Sequence, residues 1–238
     1  LEWWSRTVGR HSDALAAPSA AAQALGKALA DGSLLGATAF TLGSAALGLA
    51  LACLAGVALG TLLGLSRRAA SMGFLTIEVL RPIPSVALIP LAMLVYGFGL
   101  RMEVSVVAFA TFWPMLILSQ AAVRQVEPQL LEVARALELP ADKAFRSIVL
   151  PAIVPRLFVA LRLGVAIALV VAVTVEIAAN PHGMGYALII AQQSLDPALM
   201  MAWLFWIGFI GYTVNALTLR LQVAVARHAG PDDIVGAG

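Results

Sequence analysis

Glu132–Pro151 reads EVARALELPADKAFRSIVLP. It sets Arg135, Lys143 and Arg146 beside Glu132, Glu138 and Asp142, between stretches that carry almost no charge. An ionised side chain at the centre of a bilayer costs several kcal/mol. The island is therefore read as a folded segment on one face of a membrane. Two roles are open to it: an amphipathic connector packed on its own bundle, or a peg that docks onto another polypeptide.

Outward from the island the chain is oily. It is 61% hydrophobic and 12% charged over 238 residues, with mean hydropathy +0.93. A soluble domain is nearer half apolar and a quarter charged. Gly32–Ser66, Pro82–Leu100, Val104–Val123 and Pro197–Leu219 hold no charge, and Leu163–Leu195 holds only Glu176. Each run reaches the length that crosses about 30 Å of hydrocarbon. None alternates polar and apolar residues as a membrane β-barrel strand does. The fold class expected is all-α, a polytopic helical membrane protein with five visible spans. Cys53 stands alone, so no disulfide or metal framework is available. His11, His182 and His228 are too scattered to share one metal.

Charge sets an orientation. With the island in the cytoplasm, Arg67, Arg68, Arg124, Arg135, Lys143, Arg146, Arg156, Arg162, Arg220 and Arg227 all lie inside, and Arg81 lies near an inner helix end. Arg6, Arg10, Lys27 and Arg101 are left outside with Glu2, Asp13, Asp31 and Glu103. This asymmetry follows the positive-inside rule. Residues 1–33 are then an external segment with a short amphipathic helix near Ser19–Ala30. Residues 34–227 form the membrane domain, with a loop at 127–151, and 228–238 a frayed cytoplasmic tail.

Local chemistry refines the picture. Pro128 suits the first position of a helix that places Leu130, Val133, Ala134 and Leu137 on one face. Pro140 ends it and starts a second short helix over Ala141–Leu150. Pro82, Pro84 and Pro90 fall within nine residues, which makes that span either a pathway wall or a kinked packing helix. Intramembrane polar residues are the pathway candidates: Glu78, Arg81, Glu176, Asn180, Gln192 and Gln193. Glu78 and Arg81, one turn apart, are expected to pair as a salt bridge. Trp203 and Trp206 are expected to anchor at the membrane interface. No phosphate-binding G-x-x-x-x-G-K-[ST] motif and no nucleophile system is present, so no catalytic residue and no metal ligand is expected in this chain.

The spacing Glu132, Ala134, Ile148, Leu150, Pro151 resembles the EAA loop of binding-protein-dependent ABC importer permeases. Val133 stands at the middle position, and Glu138 at the family's glycine. The Leu139-Pro140 pair is expected to make the turn that the glycine would make. Leu49–Arg68, Glu78–Gly99, Val126–Leu137 and His182–Asp196 are similar to the nitrate, sulfonate and taurine branch of that family, and the likeness runs from about Ala17 to Arg227. The resemblance implies a six-helix subunit whose first helix would precede Leu1. It implies dimers, homodimers in the simplest case, in the bacterial cytoplasmic membrane with the C-terminus inside. Partners would be cytoplasmic ATPase subunits carrying ATP and magnesium, and an extracytoplasmic substrate-binding protein; lipid surrounds the chain and nucleic acid has no role. Glu132, Val133, Ala134, Arg135, Ala136, Leu137, Glu138, Leu139 and Pro140 would form the coupling helix in the ATPase cleft, and Ile148, Leu150 and Pro151 the loop's end. Two rivals stand beside this reading: an ion-coupled carrier or channel using Glu176 and Arg81, and a membrane scaffold that docks a partner and transports nothing.

Overall fold

The computed structural model describes residues 16–228, which form helices and short connections with no strand among them. Helix α1 (Pro18–Ala30) starts on a proline at its first turn, where a missing N–H costs nothing. It matches the helix expected at Ser19–Ala30. Residues 1–15 of the expected external segment, and the tail after His228, lie outside the described residues. Asp31 accepts the Ser33 N–H at 2.9 Å and opens α2 (Ser33–Leu65). At 33 residues α2 is about 50 Å long, more than a bilayer core requires.

Among the described residues four helices are long and apolar enough to cross a membrane: α2, α5 (Leu100–Arg124), α7 (Ala141–Ala178) and α9 (Pro197–His228). Between α2 and α5 lie α3 (Arg67–Leu80) and α4 (Ile89–Tyr96), with a 3-10 turn at Ser85–Leu88. The chain bends by 79° between α3 and the segment Ser85–Tyr96, and counted as one broken span the pair makes a fifth crossing. The break falls at Arg81–Pro84, where two prolines withhold backbone donors. Pro90 sits in the first turn of α4, where it is harmless.

Three expected boundaries are corrected. Pro82–Leu100 is not a span by itself: its helix is the 8-residue α4, and only with α3 does it reach a crossing. Leu163–Leu195 is not one span: α7 ends at Ala178, and the chain restarts as α8 (Gly183–Gln193). Pro181 forces this stop, because the residue before a proline avoids the helical region. The second short helix expected at Ala141–Leu150 is not separate. It runs straight into the span as the start of α7, through a π-helical turn at Phe145–Val149. That wide turn precedes Pro151 and Pro155, which cannot donate to the carbonyls of the turn before them.

Packing divides the described chain into two units, each built from three stretches: 16–48, 84–107 and 168–214, and 49–83, 108–167 and 215–228. The first has a core of Ala28, Leu34, Leu169, Met184, Ala191 and Trp203. Trp203 is thus a core residue, only 4% exposed, and not the interfacial anchor expected. Trp206 joins it by donating from Nε1 to Thr38 Oγ1 at 2.8 Å. A half-buried indole gains from such an acceptor.

The second unit is held by a seam of small residues. Gly56, Gly60 and Gly64 of α2 lie four apart and face α5. A Cβ on Gly56 would come within 2.8 Å of Met115, and one on Gly64 within 2.6 Å of Val123. Lipid gives helices no hydrophobic reason to associate, so close backbone approach supplies the attraction. At one end of this seam Ala122, Val123 and Val126 pack on Val149 and Ile153 of α7.

Candidate docking helix, adjoining cavity and buried polar cluster

Helix α6 (Pro128–Ala136) joins α5 to α7. Leu130, Val133 and Leu137 are 38%, 49% and 64% exposed, while Ala134 is 7% exposed. The four residues expected to share one face differ in burial: Ala134 is covered, and the three larger residues beside it leave an exposed apolar stripe at helical spacing. Glu132, Ala136, Glu138 and Pro140 are also exposed, and Leu139 is half-buried. Arg135 lies on the same helix; its side chain is outside the described residues. Ile148 is half-buried and Leu150 and Pro151 are exposed, but all three belong to the first turns of α7, not to a loop's end.

The end of α6 corrects another expectation. Glu138 itself takes the left-handed conformation, with φ of 50°. The Leu139 N–H reaches back to the Ala134 carbonyl at 3.0 Å, and the Leu137 N–H to Val133 at 3.0 Å. This is the Schellman ending that a glycine ordinarily serves. Pro140 follows the turn and does not make it. A side chain in this conformation costs about 1–2 kcal/mol, partly offset by the flexibility that glycine brings to the unfolded chain. Glu138→Gly is therefore expected to raise stability by up to about 1 kcal/mol, and Glu138→Val to lower it, since β-branched residues resist positive φ. Thermal unfolding should rank Gly above Glu above Val. A Val variant as stable as the parent would contradict the assignment.

Beside α6, in the same unit, lies a cavity of about 870 Å³. Arg67, Ser71, Phe74, Ile77 and Glu78 of α3 line it, with Arg81 just after that helix, Gln120 and Arg124 of α5, Val126 after α5, and Val149 of α7. Glu78 and Arg81 both line it, and among the described residues neither has an ion-pair partner. The expected salt bridge is absent: both side chains are exposed, where solvent leaves an ion pair worth little.

The other unit holds a polar cluster. Glu103, expected outside the membrane, is wholly buried inside α5. Ser44 and Asn180 both donate to its carboxyl group. Glu176 is 1% exposed and hydrogen-bonds the Thr41 hydroxyl at 2.6 Å. Its other oxygen accepts the Gly185 N–H at 2.8 Å, and Thr41 accepts the Met184 N–H at 3.0 Å. These are N–H groups that the first turn of a helix leaves unpaired. Glu176 and Thr41 together therefore cap α8 from two other helices. Gly183 makes the arrangement possible: its φ is +89°, and a Cβ there would run into the Glu176 carboxyl group.

The structure does not gather the pathway candidates in one place. Glu78 and Arg81 share the cavity of one unit, while Glu176 and Asn180 are enclosed in the other. Gln192 and Gln193 are exposed at the far end of α8, about 15 Å along the helix from the capped end. Sequence reading missed Thr41, Ser44 and Glu103 as network members, and Arg67 and Arg124 as cavity residues. Thr41 and Ser44 offered a signal: two hydroxyls one turn apart in an uncharged helix, where polar groups seek partners.

Comparison with known proteins places this geometry. Residues 48–230 match the family model described as "Binding-protein-dependent transport system inner membrane component". SsuC of Bacillus subtilis (strain 168), whose name assigns it to aliphatic sulfonates transport, is 28% identical over 191 residues, covering 80% of this chain and 69% of its own. The bicarbonate transport system permease protein CmpB of Synechococcus elongatus (strain ATCC 33912 / PCC 7942 / FACHB-805) is 27% identical, covering 83% and 72%. The nitrate import permease protein NrtB of Synechocystis sp. (strain ATCC 27184 / PCC 6803 / Kazusa) is 28% identical, covering 76% and 66%. In fold, the chain is similar to an inward-facing MetNI methionine ABC transporter, with TM-score 0.66 at 18% identity over 78% of this chain and 92% of that one. It is also similar to an amino acid ABC transporter, with TM-score 0.68 at 18% identity over 86% and 97%. The all-helical fold and the family match over most of its length agree: this chain belongs to the binding-protein-dependent transport system inner membrane component family, the permeases of ABC importers.

Proposed function

We propose that this chain is the membrane subunit of an ATP-driven importer and that α6 couples it to a separate ATPase. The observation that carries this reading is the exposed apolar stripe Leu130, Val133 and Leu137 on a short helix whose Ala134 is covered. Burying a Leu or Val side chain is worth about 1.5–3 kcal/mol, so a groove that covers the stripe gains a firm hold. Exposed Glu132 and Glu138 flank it and supply polar contacts at the rim. Movement imposed on α6 has two direct outlets, α5 before it and the 38-residue α7 after it.

In this reading ATP and magnesium sit on the partner chains, and α6 and the C-terminus face the cytoplasm of a bacterial cell. A second permease copy completes the pathway, and a binding protein delivers the solute to the opposite face. Relatives named for sulfonate, nitrate and bicarbonate transport favour a small anion as that solute. The test is Val133→Asp with Leu137→Asp. Two carboxylates on a face that must be desolvated should weaken ATPase association more than about tenfold and take uptake to background, without shifting the melting temperature. Undiminished co-purification of the ATPase with the double variant would refute the docking role. Uptake that persists without ATP and follows an ion gradient would replace the importer with a carrier.

A further inference from the structure

We propose that the cavity beside α6 is a binding site for an organic oxyanion, a sulfonate, phosphate or carboxylate group carried on an apolar body. Arg67, Arg81 and Arg124 reach it from α3, from the break after α3 and from α5, so three separate segments of chain bring one sign of charge to one space. Glu78 is the acidic residue on its lining, which leaves a net charge of +2. Among the described residues none of the three arginines has an ion-pair partner. Like charges around a shared space repel one another until an anion lies between them. The guanidinium fork matches an oxyanion with two parallel hydrogen bonds, and Gln120 adds a neutral donor. Apart from Ser71 the remaining wall, with Phe74, is apolar, and about 870 Å³ is the size of a pocket for a whole organic molecule, far more than a bare ion fills.

Two sources supply that chemistry: a soluble amphiphilic anion, or the headgroup and upper chain of an anionic lipid. The site does not depend on ATP-driven transport, so its failure and the failure of the importer reading are separable. The experiment uses the full-length protein in nanodiscs. In one arm the discs are pure phosphatidylcholine and hexanesulfonate is titrated by calorimetry. In the other the discs contain phosphatidylglycerol, and native mass spectrometry counts the lipid retained after transfer to detergent. Saturable binding in the first arm identifies a soluble ligand; retention in the second alone identifies a lipid.

In whichever arm binding occurs, the triple variant Arg67→Gln, Arg81→Gln, Arg124→Gln should weaken it at least about tenfold. Glu78→Gln should strengthen it several-fold, a gain that misfolding cannot produce. No saturable binding in either arm, binding indifferent to the triple variant, or a Glu78→Gln variant that binds no better than the parent would each overturn the site.

Discussion

Gly60→Leu is expected to yield no folded, monodisperse protein, and Gly60→Ala to cost about 2–3 kcal/mol. A Cβ on Gly60 would overlap the Leu116 carbonyl oxygen and lie 2.9 Å from the Ser119 Cβ. The obstacle is backbone, so no rotamer change relieves it. The two helices must separate along the seam that Gly56 and Gly64 also form, and separation forfeits the dispersion contacts that hold helices together in lipid. Gly36 and Gly43 on the same helix provide the control, because a Cβ on either meets nothing within 4 Å. There alanine should gain up to about 1 kcal/mol from helix propensity alone. Thermal unfolding and gel filtration of the purified variants read both effects. Gly60→Ala melting level with Gly43→Ala would show that α2 and α5 do not meet at this seam.

That glycine seam marks the limit of what one sequence discloses. Uncharged runs revealed the long spans because hydrocarbon excludes charge, but Pro82–Leu100 proved to hold only one part of a broken span, whose break Pro82 and Pro84 mark because proline cannot donate. Hydropathy could not place helix ends inside apolar sequence: Leu163–Leu195 stayed continuous on that scale although Pro181 divides it. Helix α6 was legible from Pro128, Pro140 and the spacing of Leu130, Val133 and Leu137. Which of its apolar residues is covered was not, because a stripe carries no sign of what covers it. Glu138 defeated the argument from residue preference, since the six-residue hydrogen bond from Leu139 to Ala134 fixes its left-handed turn whichever side chain is present. Glu103 was misplaced for a similar reason. A carboxyl near a helix start looks solvated until Ser44 and Asn180, from distant parts of the chain, are seen to hold it.

Glu176→Ala is expected to cost about 3–5 kcal/mol, while Glu176→Gln stays within about 1 kcal/mol of the parent. Alanine removes the acceptor of the Gly185 N–H and the partner of the Thr41 hydroxyl, and leaves a void among fully buried neighbours. Glutamine preserves the geometry: its carbonyl accepts from Gly185, and its amide donates to Thr41, whose own proton then turns to the Ala37 carbonyl 3.1 Å away. It also removes one of two buried carboxyl groups that lie within electrostatic reach of each other, Glu176 and Glu103. A double-mutant cycle with Gly183→Ala sharpens the case. Alone, that methyl runs into the Glu176 carboxyl and demands an unfavourable positive φ. With Glu176→Ala the collision disappears and only the backbone cost remains, so the pair should lose about 1–2 kcal/mol less than the sum of the single changes. Transport separates the cap from a coupling charge. A carboxyl that caps α8 tolerates glutamine with uptake intact, whereas one that binds a driving ion loses uptake while the fold melts normally. Unchanged melting with abolished uptake in Glu176→Gln would transfer this residue from scaffold to mechanism, and would favour an ion-coupled carrier over the importer.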